Sequence, residues 1–229
     1  MKNLLVFVVL FTTLLSSVHF AKELEKYSIE KLSKHMSVKE KKKRFFALVA
    51  PAVESVYKEL FEQYHSVKKD ISNHSNAQKI AALKKKYKVK TDRELLIALK
   101  PHPISITLAQ AALESAWGTS RFFTKANNIF GVHGLSSRGS IPAGIKKNGR
   151  TVWVRKYKTL DDAIMDYYRM LSTVPAYKKF KRLNYEDKSV YKIVEGLIHY
   201  SERGNAYIKS IKSVIRHNNL TKYDTKVAK

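Results

Sequence analysis

Glu114 stands in Leu108-Ala109-Gln110-Ala111-Ala112-Leu113-Glu114-Ser115-Ala116-Trp117-Gly118, a charged side chain at the end of a small and apolar run. Such a run reads as a helix, and Gly118 reads as its stop, since glycine takes the left-handed conformation that closes helices. Two effects then raise the pKa of the carboxyl. Apolar neighbours desolvate its anion, and the negative end of the helix dipole opposes a second negative charge. A carboxylic acid kept protonated near neutral pH can donate its proton to a glycosidic oxygen. The stretch by itself equally allows an ordinary exposed glutamate at a helix end. Gln110 lies one turn earlier on the same face, where it could orient the carboxyl, meet sugar, or pack as a helix amide. Trp117 and Phe130 offer flat faces for sugar stacking, although aromatics beside such a helix also fill cores. Asn127 and Asn128 carry amides suited to sugar hydroxyls or to the backbone of their own loop.

The elements that must position these residues are mostly helical. Phe46, Val49, Val53, Val56, Tyr57, Leu60 and Tyr64 recur at spacings of three and four, an amphipathic helical face over residues 45–67. Pro51 within it marks a first turn or a kink. A polar loop at 72–76 precedes a short helix that carries Ile80 and Leu83 and ends in Lys84-Lys85-Lys86. Thr91-Asp92-Arg93-Glu94 has capping-box spacing and opens a helix through Leu99. Pro101-His102-Pro103 breaks that helix, and Ser105 or Thr107 can cap the next, which bears Glu114. Asn148-Gly149 between extended runs predicts a β-hairpin over 141–157. Helices resume over 160–174, capped by Thr159 and ended by Pro175, then over 190–200 and 206–218 with Gly204 between them. The expected class is α+β and predominantly helical, with a small β-hairpin lobe.

Net charge is +25 over 229 residues, which points to a polyanionic partner (nucleic acid, anionic lipid or an acidic wall polymer), with a well-solvated lysine-rich surface as the alternative. Residues 1–21 show the order of a secretory signal peptide: Lys2, an apolar run over 4–11 extended to Leu15, then Ser16, Ser17 and Ala21. Neither cleavage site is ideal, because Leu15 and His19 occupy the −3 positions, so an uncleaved leader would retain the chain at the inner membrane. Export disfavours nucleic acid and favours envelope polymers, with an anionic envelope surface as a further partner; no protein partner is legible. The chain has no cysteine, which removes disulfides, thiolate nucleophiles and cysteine zinc sites together. Its eight histidines lack His-Glu-x-x-His spacing and no glycine-rich phosphate loop occurs, so neither a metal nor a cofactor is expected. The organisation reads as a signal peptide (1–21), a basic helical region (22–90), a domain bearing the motifs (91–220) and a polar tail (221–229), frayed as termini usually are.

The block around Glu114 resembles the catalytic helix of glycoside hydrolase family 73, the β-N-acetylglucosaminidases of bacterial cell walls. Asn127-Asn128-Ile129-Phe130-Gly131 is similar to that family's next block. Tyr200-Ser201-Glu202-Arg203-Gly204-Asn205-Ala206-Tyr207, with Ile215-Arg216-His217-Asn218, is similar to its closing block. The last wording, and Lys42-Lys43-Arg44-Phe45-Phe46 before Pro51, most resemble the Bax-type envelope proteins. The resemblance spans residues 42–220. It implies a lysozyme-like fold with a cleft beside the β lobe, hydrolysis of the β-1,4 bond after N-acetylglucosamine in peptidoglycan, and Glu114 as general acid. It also implies groove-facing roles for Tyr200 and Tyr207, where a phenol can hydrogen-bond water or the acetamido group; a structural tyrosine is the alternative.

One feature departs from the family pattern. Glycosidases usually employ two carboxylates, about 5–5.5 Å apart for retention or 6.5–9.5 Å for inversion. Many relatives carry the second on the β lobe, yet no Asp or Glu occurs here between Ser115 and Leu160. Asp161 and Asp162 follow, in a helix first turn where acids commonly complement the dipole. Three routes remain: attack by the substrate's own acetamido oxygen, water positioned by a remote acid such as Glu202 together with Tyr200, or glycan binding without turnover. A lytic transglycosylase, which works with a single glutamate, is the neighbouring reading.

Overall fold

The computed structural model describes residues 36–225. The expected signal peptide, residues 22–35 and the last four residues of the tail lie outside them. Helix α1 (Val38–Ser72) begins at Ser37, whose hydroxyl accepts the Glu40 N–H, and runs through Pro51 without ending there. It thereby takes in both the charge-rich 39–44 stretch and the amphipathic face. Phe45, Val49, Val53, Val56 and Leu60 enter one core with Ile104, Leu108 and Ala112 of α4 (Ile104–Glu114) and Ile164, Tyr167 and Leu171 of α6 (Leu160–Thr173). Farther along α1, Tyr64 and Val67 join a smaller cluster with Tyr87 of α2 (Ala77–Tyr87) and Leu95, Ala98 and Leu99 of α3 (Asp92–Leu99). The capping box at Thr91 and Glu94 is present in both directions.

Helix α4 is capped differently from the expectation. Its N-cap is Pro103, and both Ser105 and Thr107 lie inside the helix, fully buried. The Ser105 N–H is instead taken by the Asp224 carboxylate at 2.9 Å, an anion placed at a helix N-terminus from the far end of the chain. Asp224 therefore belongs to the packing of α4, although tail residues were expected to fray. Beyond α4 come α5 (Arg121–Ala126) and a three-stranded antiparallel sheet, in the order β1 (His133–Gly134), β3 (Arg150–Arg155), β2 (Ser140–Lys147). Asn148 and Gly149 both take positive φ in the β2–β3 turn, the geometry Asn-Gly favours. An irregularity between Pro142 and Lys146 breaks the β2–β3 register.

Helix α6 starts at Thr159 with a second capping box, and that box occupies Asp162. It is followed by a 3-10 turn (Pro175–Tyr177), α7 (Lys178–Tyr185), the short α8 (Val190–Ile193) and a 3-10 turn (Val194–Leu197). The helix expected over 190–200 is thus broken into a short α-helix and a tighter 3-10 turn. Gly196 supplies a reason. A Cβ there would lie 2.3 Å from the Phe180 Cα and 2.5 Å from its nitrogen, so this segment and α7 meet backbone to backbone. Gly196→Ala is expected to cost about 3 kcal/mol by overpacking, read as a lower denaturant midpoint at unchanged slope. Helix α9 (Asn205–His217), entered through Gly204, and a last 3-10 turn (Leu220–Tyr223) close the chain. No described helix is long and apolar enough to cross a membrane.

Candidate active site

Glu114 is the last residue of α4, and the helix stops there with Ser115 as its C-cap. Gly118 is not the stop. Ala116 and Trp117 take positive φ before it, the Ser115 hydroxyl accepts the Gly118 N–H at 2.8 Å, and the Trp117 N–H returns to the Ala112 carbonyl at 2.8 Å. Two positive-φ residues without glycine's freedom need outside support. For Trp117 it comes from α1: the indole packs edge-on against Phe45 at 5.5 Å and Phe46 at 5.8 Å, with the Lys42 ammonium 4.8 Å from its ring centre. Trp117 therefore anchors the turn behind Glu114 to α1 and does not line the groove.

The Glu114 carboxyl forms one end of a directed hydrogen-bond chain through the core. The Tyr207 hydroxyl donates to Glu114 Oε1 at 2.7 Å and accepts from Gln110 Nε2 at 3.0 Å. Gln110 Oε1 in turn accepts from the Tyr167 hydroxyl at 2.6 Å. Beyond Tyr167, His102 Nε2 lies 3.2 Å from that phenol and 3.0 Å from the Thr107 hydroxyl, which donates to Tyr168. Each hydroxyl has one proton to give. With Tyr167 giving its proton to Gln110 and Thr107 its own to Tyr168, the tautomer of His102 that completes the set carries hydrogen on Nε2. The chain then runs one way, from His102 through Tyr167, Gln110 and Tyr207 to Glu114. Its arrival at Oε1 leaves the acidic proton to the other carboxyl oxygen.

Burial raises the Glu114 pKa, and this outweighs the Tyr207 hydrogen bond and the Arg203 charge, both of which lower it. At the other end, burial holds His102 neutral, with its pKa lowered from 6.5 to about 3. The unfolded chain takes up that proton below 6.5 while the folded one refuses it. Stability should therefore fall as pH drops from about 6.5 towards 3, by up to about 1.4 kcal/mol per unit. Below pH 4.5, where Glu114 no longer opposes it, thermal midpoints should flatten in His102→Gln.

An open groove of about 420 Å³ receives the Glu114 side chain and is lined by Phe130, Gly131, Val132, His133, Met170, Tyr177 and Tyr200. Tyr200 lies parallel to Tyr207, their ring centres 5.6 Å apart, and burial pushes both phenols far above their ordinary pKa. The structure thus brings Glu114, Tyr200, Tyr207 and Phe130 together. Phe130 is nonetheless 3% exposed and stacks on Tyr167 at 3.9 Å, so its ring is a wall of the core more than a free platform.

Three other expected sugar contacts are placed elsewhere. Gln110 is fully buried with both ends of its amide used by tyrosines, which makes it a positioning amide. The Asn128 amide donates to the Val132 and Arg155 carbonyls and accepts the Val132 N–H, joining the loop to β3. The Asn127 amide donates to the Tyr157 and Lys158 carbonyls, and its positive φ closes α5. Both asparagines serve the loop backbone, Asn128 with both ends of its amide and Asn127 with its amide nitrogen.

No second carboxylate lines the groove among the described residues. Asp161, Asp162 and Glu202 are exposed, and Asp166, a better-shielded acid on α6, is held by Arg155, Arg169 and the Tyr157 hydroxyl. No cluster of His, Cys, Asp or Glu among the described residues could hold a metal. Tyr167, Tyr177 and Met170 were not anticipated at the site. Tyr167 and Met170 sit on or beside the apolar stripe of α6, where sequence shows only a core pattern.

A family model described as mannosyl-glycoprotein endo-beta-N-acetylglucosaminidase (Glucosaminidase) matches residues 93–220. Protein bax of Escherichia coli is 28% identical over 200 residues, covering 79% of this chain and 70% of that protein. The exo-glucosaminidase LytG of Bacillus subtilis is 30% identical over 138 residues, covering 52% of this chain and 45% of LytG. This chain therefore matches under half the length of LytG. In three dimensions it is similar to the catalytic domain of the autolysin Auto from Listeria monocytogenes, with a TM-score of 0.53 at 18% identity, covering 89% of this chain and 97% of that domain. The fold is lysozyme-like, α+β and predominantly helical.

Proposed function

The chain belongs to the glucosaminidase family of glycoside hydrolases, and we propose that it cleaves the β-1,4 bond following N-acetylglucosamine in peptidoglycan with Glu114 as the general acid. The assignment of the acid is carried by its place in the groove: among the described residues it is the one carboxyl that reaches it, burial raises its pKa, and a hydrogen-bond chain fixes one of its oxygens so that the other keeps the proton. Glu114 protonates the leaving oxygen as the bond to the anomeric carbon breaks.

The groove lacks a described second acid, and this favours the substrate's acetamido oxygen as nucleophile. That oxygen bonds to the anomeric carbon, giving a bicyclic oxazolinium ion. Water then opens the ring, Glu114 takes the water's proton, and a reducing N-acetylglucosamine is released with its configuration retained. Tyr200, on the groove wall with its hydroxyl 3.5 Å from the Phe130 carbonyl, would steady the acetamido group or the incoming water. The exported, envelope location inferred from the leader and the +25 charge fits an anionic wall polymer as substrate.

The single carboxyl also suits lytic transglycosylation, in which a muramic hydroxyl replaces water. Mass spectrometry of fragments released from purified peptidoglycan separates the two. Reducing N-acetylglucosamine ends are expected. Anhydro-muramic ends would overturn the hydrolase reading, and intact strands under all conditions would leave a glycan-binding protein.

A further inference from the structure

A second cavity, of about 480 Å³, lies one turn along α6 from the groove. Met170 lines the groove and Thr173 lines this cavity, while the turn between α6 and α7 gives Tyr177 to the groove and Pro175 to the cavity, followed by Lys178 at the start of α7. Its lining mixes two chemistries. Val89, Ile97, Ala98 and Pro175 supply apolar surface. Lys88, Lys178, Lys179 and Arg182 add cations from the α2–α3 loop and from α7, Arg182 also lying 3.9 Å from Glu186 outside the lining. Glu94 is the one acid of the lining, and its carboxylate is taken by the N–H groups of Lys90 and Thr91 at 2.9 and 3.0 Å. Lys181 also lines the cavity, and its ammonium donates to the Ser172 carbonyl at 2.7 Å. The cavity therefore presents a concentrated positive charge over an apolar surface, beside the place where a glycan strand would lie.

We propose that this cavity receives the peptide stem of peptidoglycan, a short anionic peptide with small apolar side chains. The proposal rests on peptidoglycan being the substrate. Charge complementarity selects an anion, and the apolar surface suits alanine methyl groups. A stem is tied covalently to a sugar of the same strand. Once the groove holds the glycan, the stem meets the cavity at a high effective concentration, so modest contacts suffice. A salt-dependent preference for stem-bearing strands follows, because the interaction is between exposed charges.

Two measurements on the full chain test the proposal. The soluble tripeptide L-Ala-γ-D-Glu-meso-diaminopimelate, titrated by calorimetry, should bind the wild type. Lys178→Glu combined with Arg182→Glu, both exposed positions, should weaken binding at least tenfold with an unchanged thermal midpoint. In turnover, KM should be several-fold lower on intact strands than on strands stripped of stems by an amidase. The double variant should lose that difference with kcat unaltered. Absence of tripeptide binding, or equal binding by the variant, overturns the proposal. So does binding of phosphatidylglycerol vesicles through the same two residues without tripeptide binding, which would assign the cavity to lipid. If the tripeptide binds through these residues but neither glycan is cut, the stem site stands and the glycosidase reading fails.

Discussion

Glu114→Gln is expected to lower turnover by roughly 10³-fold, the scale of general-acid catalysis, while raising thermal stability at neutral pH. The two effects have one cause. Burial raises the pKa of Glu114 above its ordinary 4.5, so the folded chain holds the proton more tightly than the unfolded chain does. Between 4.5 and the raised value the folded state binds more protons, and its stability must fall as pH rises through that window. Glutamine removes the titration while its side-chain oxygen still accepts from Tyr207. The variant should melt higher than wild type at pH 7, and the gap should close as pH falls below 4.5. Melting curves over pH 3 to 8, beside muropeptide release, check both halves. A variant that loses activity but shows no pH-dependent gain would mean that Glu114 is solvated, and the acid would have to be sought elsewhere.

This window also shows how the site sets the acid response of the fold. Glu114 makes the protein less stable as pH rises, whereas His102 makes it less stable as pH falls below 6.5. The two groups stand at opposite ends of one hydrogen-bond chain and oppose each other just above 4.5, where their two windows overlap. In that range the wild type should show a shallower pH dependence than either single variant.

Much of this was legible in local sequence. A charged residue closing a small, apolar helix, a capping box at Thr91, an Asn-Gly turn and the stripe of α1 are short-range patterns, and each appears in the structure. The misplacements share a different physics. Gly118 looked like the stop of α4, but the chain turns two residues sooner, because α1 holds Trp117 from more than seventy positions away. Ser105 and Thr107 looked like caps, yet Asp224 takes one of the free N–H groups from the other end of the chain. Asn127 and Asn128 have residue types equally apt for sugar and for backbone, and only the position of β3 and its flank decides between them. Tyr167 and His102 look like core residues because they are core residues. What makes them part of the site is a directed set of hydrogen bonds that no periodicity records.

Tyr207→Phe tests that set of bonds most sharply. The phenol donates to Glu114, and a donor to a carboxylate lowers its pKa. Removing it should raise the Glu114 pKa further and strand the Gln110 N–H, which has Tyr207 as its acceptor. Cleavage needs protonated Glu114, so activity falls off on the alkaline side as that group ionises. Raising its pKa must move the alkaline limb of the pH–rate profile to higher pH. The optimum rate should nevertheless fall by roughly ten- to a hundredfold, because the carboxyl is no longer held at one oxygen and its proton is less readily given. Loss of a buried hydrogen bond should also cost about 1–2 kcal/mol of stability. A tyrosine that only filled space would give the stability loss without the shifted limb. Gln110→Leu separates the remaining contribution: it leaves the Tyr207–Glu114 contact possible but removes what aims it. Its limb should therefore move less than that of Tyr207→Phe while kcat still declines. The reverse order of limb shifts would mean that the amide, and not the phenol, governs the acid.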